Sequence, residues 1–280
     1  MSSQKDTAGT GLFTAELEQE VYDTYINESF PSTYDGQWSI LSTIRYDPKL
    51  TTAPPAVVDD VCQDNFWLFN EHFQRLVFTV KFFCLHFKIP LDFEITKPFL
   101  FAKFKQAFVE SRKLVQNSYK FRLLVKLSGD VVVEIHDTPA VDNLLAGLDQ
   151  CSPTYSVYLD KEPTLMSPFT SFKTTNRPHY TASRQRCLPG ASPCEEVLIY
   201  NGQGQVMEGS ITNIAVRRKS DGKWITPPLS SGCLCGVTRH FLLRKNFIEE
   251  ETILVQDLRN GEEILLFNGI MGVVKATLAV

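Results

Sequence analysis

The chain changes character near residue 170, and that change constrains its fold more than any other feature. Before it, apolar residues recur with helical spacing over Asp64–Phe87, and Phe99–Gln116 predicts a second helix. After it, short β-branched runs alternate with turn pairs at 201–202 and 221–222, which predicts a β-meander. We therefore expect an α/β front half and a β-rich back half, with a cleft between them that could hold a ligand.

The other predicted elements follow the same division. In the front half we expect an amphipathic stretch at Leu12–Tyr25, a strand at Ser39–Tyr46, a loop at Pro48–Pro55, and a hairpin formed by Tyr119–Leu127 and Val131–Ile135. In the back half we expect a helix at Gly236–Asn246 and strands at Glu196–Tyr200, Gln205–Met207, Ile211–Arg217, Trp224–Thr226, Ile264–Phe267 and Val273–Leu278. A Pro- and Ser-bearing stretch at 161–172 predicts the connection between domains 1–160 and 173–280.

Composition excludes several classes of protein. The 280 residues are 43% hydrophobic and 21% charged, an ordinary globular balance. The net charge of −4 offers no basic excess for a nucleic acid. We expect a cytoplasmic protein without a membrane span, because no apolar signal or spanning run is seen. Seven cysteines and five histidines show no metal-ligand spacing, so we expect reduced thiols and no metal site.

Four segments carry residues suited to chemistry. They are Thr170-Ser-Phe-Lys-Thr-Thr-Asn-Arg177, Val206-Met-Glu-Gly-Ser-Ile-Thr-Asn213, Cys235-Gly-Val-Thr-Arg239 and Glu71-His-Phe-Gln-Arg-Leu76. Each also has a plain structural interpretation. Lys173 could be a solvated surface group, Glu208 a hairpin tip, Gly236 only a helix start, and His72 with Arg75 a satisfied pair in the core.

Taken together, in this order and spacing, the segments resemble the fold-type IV pyridoxal-phosphate family, which includes aminotransferases and aminodeoxychorismate lyases. The resemblance covers about residues 38–278. It is closest to the fungal lyase branch, because long strings are shared: Thr-Ser-Phe-Lys-Thr-Thr, Met-Glu-Gly-Ser-Ile-Thr-Asn, Ser-Gly-Cys-Leu-Cys-Gly, Leu-Leu-Phe-Asn-Gly-Ile-Met-Gly and Ile44-Arg-Tyr-Asp-Pro48. It implies an α/β (α+β) two-domain fold with the cofactor in the cleft between the domains.

The resemblance also implies a group for each part of pyridoxal 5'-phosphate. Lys173 would form the Schiff base with the aldehyde and later move protons. Glu208 would face the pyridine nitrogen, where a carboxylate favours the protonated ring. Arg75 and the backbone amides of Val237 and Thr238, at a helix start, would bind the phosphate, with some help from the Thr238 hydroxyl.

The reaction implied is conversion of 4-amino-4-deoxychorismate to 4-aminobenzoate and pyruvate, with Lys173 as the base. Because this substrate carries two carboxylates, we expect further cations in the cleft. Arg45, Arg122 and Arg177 are candidates, although a surface ion pair explains each of them equally well. Asn268 and Tyr180 are further candidates for the lining of the cleft, and the family implies a homodimer.

Two alternatives remain open at this stage. A branched-chain or D-amino-acid transaminase would use the same Lys173, Glu208 and Arg75, since a fold does not decide its function. A binding protein that kept the fold but lost turnover is the second alternative. The intact set of Lys173, Glu208 and Arg75 argues against it, because a decayed site should show damage there.

Overall fold

A computed structural model describes residues 30–149, 151–188 and 192–279 of the chain. The predicted amphipathic stretch at Leu12–Tyr25 lies outside these described residues. Two sheets organise the described part: a three-stranded sheet in the front half and an eight-stranded sheet in the back half. Within these ranges, no helix combines the length and the apolar character that crossing a bilayer requires.

The front sheet is antiparallel and consists of β1 (Ile40–Tyr46), β2 (Tyr119–Val125) and β3 (Val131–Asp137) in that order. This confirms the predicted strand and hairpin. Along β2 every second side chain is buried, from Tyr119 to Val125, which sends Lys120 and Arg122 to the opposite face. Lys120, on this second face, lines the ligand cavity described below.

Two helices cover the buried face of this sheet. The first, α1 (Phe69–His86), begins five residues later than predicted, since Leu68 takes a left-handed backbone conformation with φ 54°. The second, α2 (Lys97–Ser111), starts at a Thr96 cap whose hydroxyl accepts from the Phe99 amide, and ends before Arg112, which has φ 52°. Their aromatic side chains, including Phe82, Phe83, Phe104 and Phe108, fill the front core together with Phe121 of β2.

The back sheet is mixed and has the order β6-β5-β4-β11-β10-β7-β8-β9. Its strands are β4 (Tyr155–Leu159), β5 (Glu195–Tyr200), β6 (Val206–Gly209), β7 (Asn213–Arg217), β8 (Trp224–Thr226), β9 (Glu249–Glu250), β10 (Glu263–Asn268) and β11 (Gly272–Ala279). The predicted strands are confirmed, with ends that differ by one or two residues. The predicted meander is wrong: β5 pairs with β6 and β7 with β8, but β5, β4, β11 and β10 lie between β6 and β7 in the sheet. The sequence did not indicate β4, which pairs in parallel with β11 and with β5.

Three helices belong to the back half: α3 (Pro168–Ser171), α4 (Pro178–Cys187) and α5 (Val237–Arg244). Helix α5 confirms the predicted helix at 236–246 and is slightly shorter. Helix α4 escaped prediction because it is mostly polar, with only Tyr180 and Ser183 buried.

Strand β4 bears on the division into domains. Strand β4 belongs to the back sheet, so that sheet begins before residue 161. The predicted connection at 161–172 therefore comes after the first strand of the sheet that it was expected to precede. We therefore propose a domain boundary between Asp137 and Tyr155, in place of the one placed at 161–172. The Lys173 segment itself runs beside β1: the Leu41 amide donates to Lys173 O over 2.9 Å, and the Thr175 amide donates to Ser39 O over 2.9 Å.

Candidate active site

A cavity of about 390 Å³ is lined by residues from both halves of the chain. It brings together seven of the residues singled out from the sequence: Arg75, Lys173, Arg177, Glu208, Val237, Thr238 and Asn268. Their sequence separation exceeds 190 residues, so only the fold can assemble them. The volume suits a small cofactor together with a small substrate.

Lys173 lies in the short segment between α3 and α4, whose backbone is held by the hydrogen bonds to β1. Lys173 lines the cavity. Burial holds the pKa of Lys173 well below its usual value, and the nearby positive charges of Arg177 and Arg75 lower it further, whereas Glu208 opposes the shift. A lowered pKa favours the neutral amine, which is the form of lysine that can act as a nucleophile and as a base.

Glu208 lies on β6 and is only 2% exposed. Tyr180 of α4 donates its hydroxyl proton to Glu208 Oε1, and Asn213 Nδ2 donates to Oε2 over 3.1 Å. Burial raises the pKa of Glu208 to about 7, although the Tyr180 bond and Arg177 act in the opposite direction. The carboxylate is thus fixed in direction and poised to share a proton with a basic ring nitrogen.

The start of α5 is fitted closely against Asn213. Asn213 Nδ2 also donates to Leu234 O over 2.9 Å, and a Cβ placed on Gly236 would stand 1.8 Å from Asn213 Oδ1. Only glycine fits at this position. The first bond of the helix runs from the His240 amide to Gly236 O, so the amides of Val237 and Thr238 have no acceptor inside the helix. Such a terminus favours an anion.

Arg75 of α1 is 4% exposed and donates from Nη1 to the Cys235 carbonyl over 3.3 Å, directly before that helix start. Burial lowers the pKa of Arg75 to about 10, which still leaves the guanidinium charged at neutral pH. A buried cation beside free helix amides is the donor set that a phosphate requires.

Two polar atoms in the cavity wall lack a protein partner within the described residues. They are the Thr238 hydroxyl and His72 Nε2, both buried. The other ring nitrogen of His72, Nδ1, lies 2.8 Å from Ser42 Oγ, and burial keeps the pKa of His72 well below its usual value, so the ring is neutral. Buried polar atoms are normally satisfied, which indicates that a polar ligand completes this site.

Two of the predicted substrate-binding cations are placed elsewhere, and we correct them here. Arg45 is 1% exposed and forms a buried ion pair with Asp47 at 2.8 Å, so its charge is neutralised away from the cavity lining. Arg122 pairs with Glu134 at 2.8 Å and also does not line the cavity. Both are ion pairs of the sheet, the alternative that the sequence left open.

Arg177, Asn268 and Tyr180 do lie at the cavity or against it. Arg177 donates to Ser210 O over 2.7 Å and stacks on the Tyr180 ring, with 3.9 Å between the guanidinium carbon and the ring centroid. Tyr180 thereby touches both Arg177 and Glu208. Asn268 Oδ1 accepts from the Met271 amide over 2.9 Å, so this side chain shapes the turn that closes the cavity.

Sequence reasoning missed Lys120, which lines the cavity from β2. Alternation along β2, which places it on the same face as Arg122, was the available signal. Among the residues that the structure describes, no three or more His, Cys, Asp or Glu side chains gather as a metal site would need.

Comparison with known proteins places this site in a family. The family described as amino-transferase class IV matches residues 60–278. An aminodeoxychorismate lyase of Saccharomyces cerevisiae is 34% identical over 263 residues, covering 79% of this chain and 70% of the yeast protein.

Two solved structures share the fold at lower identity. One, titled a putative amino-acid aminotransferase from Mesorhizobium loti, has a TM-score of 0.66 and 23% identity over 87% of this chain and 100% of that one. The other, titled a putative 4-amino-4-deoxychorismate lyase from Haemophilus somnus, has a TM-score of 0.55 and 20% identity over 84% of this chain and 98% of that one. The predicted fold class is confirmed, and the chain belongs to the class IV aminotransferase family.

Proposed function

We propose that this enzyme is an aminodeoxychorismate lyase, which converts 4-amino-4-deoxychorismate into 4-aminobenzoate and pyruvate, a step toward folate. The observation that carries the proposal is the 34% identity to the yeast lyase across most of both chains. The cavity supplies the chemistry, because it joins a lysine of lowered pKa, a buried carboxylate and an anion-binding helix start.

The residues present fit pyridoxal 5'-phosphate as the cofactor. Arg75, the amides of Val237 and Thr238, and the unpartnered Thr238 hydroxyl would hold its phosphate. Glu208 would hold its ring nitrogen, and Lys173 its aldehyde carbon. When bound, this cofactor supplies an electron sink for the charge that develops when a proton leaves the carbon bearing the substrate amine.

Lys173 performs the proton transfer. Burial lowers the pKa of Lys173 well below its usual value, which favours Nζ as the base that takes the proton from the carbon bearing the substrate amine. The bond from the ring to the enolpyruvyl oxygen then breaks, the ring becomes aromatic, and the departing enolpyruvate gains a proton to become pyruvate. Since aromatisation makes the elimination strongly favourable, the protein must chiefly orient groups and manage protons.

Glu208 and its neighbours keep the electron sink effective. Tyr180 and Asn213 each donate a hydrogen bond to one oxygen of Glu208, which fixes the carboxylate without neutralising it. Arg177 above Tyr180 adds positive charge to this part of the cavity. We propose that this group sets the protonation of the ring nitrogen and that Arg177 also contacts a substrate carboxylate.

The family likeness also supports two proposals about the whole protein: that it is a homodimer and that it acts in the cytoplasm. Light scattering on the purified protein tests the dimer. A tagged copy, imaged with a cytoplasmic marker, tests the location.

The test of function uses protein purified with pyridoxal phosphate and supplied with aminodeoxychorismate. The wild type should form 4-aminobenzoate, followed by its fluorescence, and pyruvate in equal amounts. Lys173→Ala should lose both products and the visible absorption of the lysine-bound cofactor. Lys126→Gln, an exposed lysine on the β2–β3 hairpin, is the matched control and should behave as the wild type. Retained cofactor absorption without product would reject the lyase function.

A transaminase on the same scaffold is the second candidate, because the amino-transferase class IV family matches residues 60–278. It would use the same Lys173, Glu208 and Arg75. The discriminating observation is whether 2-oxoglutarate restores the aldehyde form of the cofactor after incubation with branched-chain or D-amino acids. Restoration at a rate that matches turnover would support the transaminase, and its failure beside 4-aminobenzoate formation would support the lyase.

A further inference from the structure

Positive charge predominates in the lining of the cavity. Among the described residues, its cationic side chains are Arg75, Lys120, Lys173 and Arg177, and its acidic side chain is Glu208. Arg75 is bonded to the Cys235 carbonyl and Arg177 to the Ser210 carbonyl. Lys173 and Glu208 interact electrostatically. No hydrogen bond or ion pair of this kind is found for Lys120 among the described residues.

Lys120 comes from the wall formed by the front sheet. In the register of that sheet it stands between Arg45 of β1 and His136 of β3. The backbone of Arg45 donates to Gly269 O over 3.2 Å, and its guanidinium donates to Ile270 O over 3.2 Å. Lys120 therefore lies one strand from the turn that contains Gly269 and Ile270, both of which also line the cavity.

The charged neighbours of Lys120 form ion pairs, whereas Lys120 forms none among the described residues. Arg45 pairs with Asp47, and Arg122 pairs with Glu134, each at 2.8 Å. Within the part of the chain that the structure describes, the ammonium group of Lys120 forms no ion pair and no hydrogen bond. It is partly buried at a cavity wall, where an unpaired charge is unfavourable unless a ligand completes it.

We propose that Lys120 binds a carboxylate of the substrate and makes the site select a cyclic dicarboxylate over a monocarboxylate. The inference rests on the proposed function, whose substrate carries two carboxylates. Glu208 lies on the back sheet, and Lys173 lies in the segment beside the first strand of the front sheet. A substrate amine directed at Lys173 leaves a carboxylate to face Lys120 on the neighbouring strand of that front sheet. An ammonium group there forms a charge-assisted hydrogen bond with that carboxylate.

The experiment measures binding of two probes to the enzyme loaded with pyridoxal phosphate, through their effect on its visible spectrum. The probes are benzoate and benzene-1,3-dicarboxylate. The variants are Lys120→Gln, Lys120→Arg and the control Lys126→Gln. In the wild type the dicarboxylate should bind more tightly. Lys120→Gln should weaken the dicarboxylate by about tenfold or more and benzoate far less, since a hydrogen bond between charged groups is lost.

Lys120→Arg should retain the preference, and Lys126→Gln should match the wild type. The cofactor spectrum and the thermal midpoint of each variant show that the protein is folded and loaded. If Lys120→Gln does not fold, Lys120→Met repeats the test with the apolar stem of the side chain preserved. Unchanged dicarboxylate binding in the folded variant, or equal losses for both probes, would overturn the proposal.

Turnover separates this inference from the proposed function. If the wild type forms 4-aminobenzoate and Lys120→Gln raises KM at least tenfold with little change in kcat, both stand. If the wild type forms product and the variant has an unchanged KM, Lys120 has no such role and the lyase function stands. If no product forms but the preference for the dicarboxylate depends on Lys120, the anion site stands and the lyase function falls.

Discussion

The two walls of the cavity differ in how their functional side chains are held. On the back-sheet wall, Glu208 is fixed by Tyr180 and Asn213, and the helix start is fixed by the fit of Gly236 against Asn213. On the front-sheet wall, Lys120 faces the cavity without a protein partner among the described residues. A rigid cofactor side beside a freer substrate side lets one fold serve several reactions, because specificity changes without disturbing the cofactor.

Hydrogen bonds also hold the residues that lie behind the lining of the back-sheet wall. The buried carboxylate of Glu196 accepts from the amides of Ser210 and Ile211, each over 3.1 Å, and from Thr212 Oγ1 over 3.0 Å. Arg184 pairs with the same carboxylate at 3.3 Å. Glu196 thus holds the turn between β6 and β7, from which Ile211 and Thr212 face the cavity.

Gly236→Ala should have the largest effect of these substitutions, because it disturbs the cofactor-binding residues of the back-sheet wall. The new Cβ would lie 1.8 Å from Asn213 Oδ1, and Asn213 cannot turn away without leaving Glu208. We expect cofactor affinity to fall by about 100-fold or more, since the phosphate site and the ring-nitrogen site are disturbed together. Titration of the cofactor-free protein with pyridoxal phosphate measures this.

Gly202→Ala is the matched control, because a Cβ at Gly202 meets no atom within 4 Å. It should leave cofactor affinity unchanged. If Gly236→Ala and the control bind the cofactor with equal affinity, the back-sheet wall is less rigid than its contacts indicate. The proposed difference in rigidity between the two walls would then be wrong.

Glu208 should make the cofactor-free protein less stable as pH rises. Its folded pKa is about 7, above the value near 4.3 of an unfolded glutamate, so between these values the folded state keeps a proton that the unfolded state has released. The stability contributed by this group is therefore fully present below about pH 4.3 and is lost as pH rises through about 7, by roughly 4 kcal/mol at most.

Urea unfolding of the cofactor-free wild type and of Glu208→Gln, each at pH 5 and pH 8, measures this effect. The stability gap between the two proteins should shift in favour of Glu208→Gln at pH 8. Glu110→Gln, at an exposed position of α2, should keep the wild-type pH profile. A gap that does not change with pH would show that Glu208 is ionised in both states across this range.

The cofactor-binding residues were largely predictable from sequence, and the front wall was not. Lys173, Glu208 and Gly236 stand in long strings of neighbouring residues whose order identifies them. Lys120 belongs to no string, and its role depends on which neighbouring charges already have partners. Arg122 looked equally suitable, because its pairing with Glu134 becomes visible only when the register of β2 and β3 is known.

Strand β4 and helix α4 escaped prediction for related reasons. Strand β4 is five residues long, and it pairs with β11, which lies more than 110 residues further along the chain. Helix α4 has almost no apolar face, and its buried Tyr180 serves Glu208 and Arg177 instead of a core. The local spacing of apolar residues does not predict which distant strands pair, and it does not predict a helix that buries only one large side chain.

Glu196→Gln should weaken the hydrogen bonds that hold the turn behind the back-sheet wall, and so tests how much they contribute to its rigidity. The amide of glutamine brings donors to a place where the Ser210 and Ile211 amides already donate, so at least one buried donor loses its acceptor. We expect a loss of about 2 kcal/mol in the free energy of unfolding. Urea unfolding measures it, with Glu195→Gln at the neighbouring, more exposed position as the control. Equal stability of the two variants would contradict the role given to Glu196.

Arg122→Gln should have the smallest effect, which separates it from Lys120 on the same strand face. Its ion pair with Glu134 joins side chains that are 34% and 36% exposed, and Glu134 would keep His136 Nε2 at 3.0 Å. Such exposed pairs contribute less than about 1 kcal/mol, and KM for the substrate should change less than about twofold. Steady-state kinetics beside Lys120→Gln test this. A rise in KM equal to that of Lys120→Gln would mean that Arg122 leaves Glu134 to bind the substrate, and that the front wall selects its ligand with two cations.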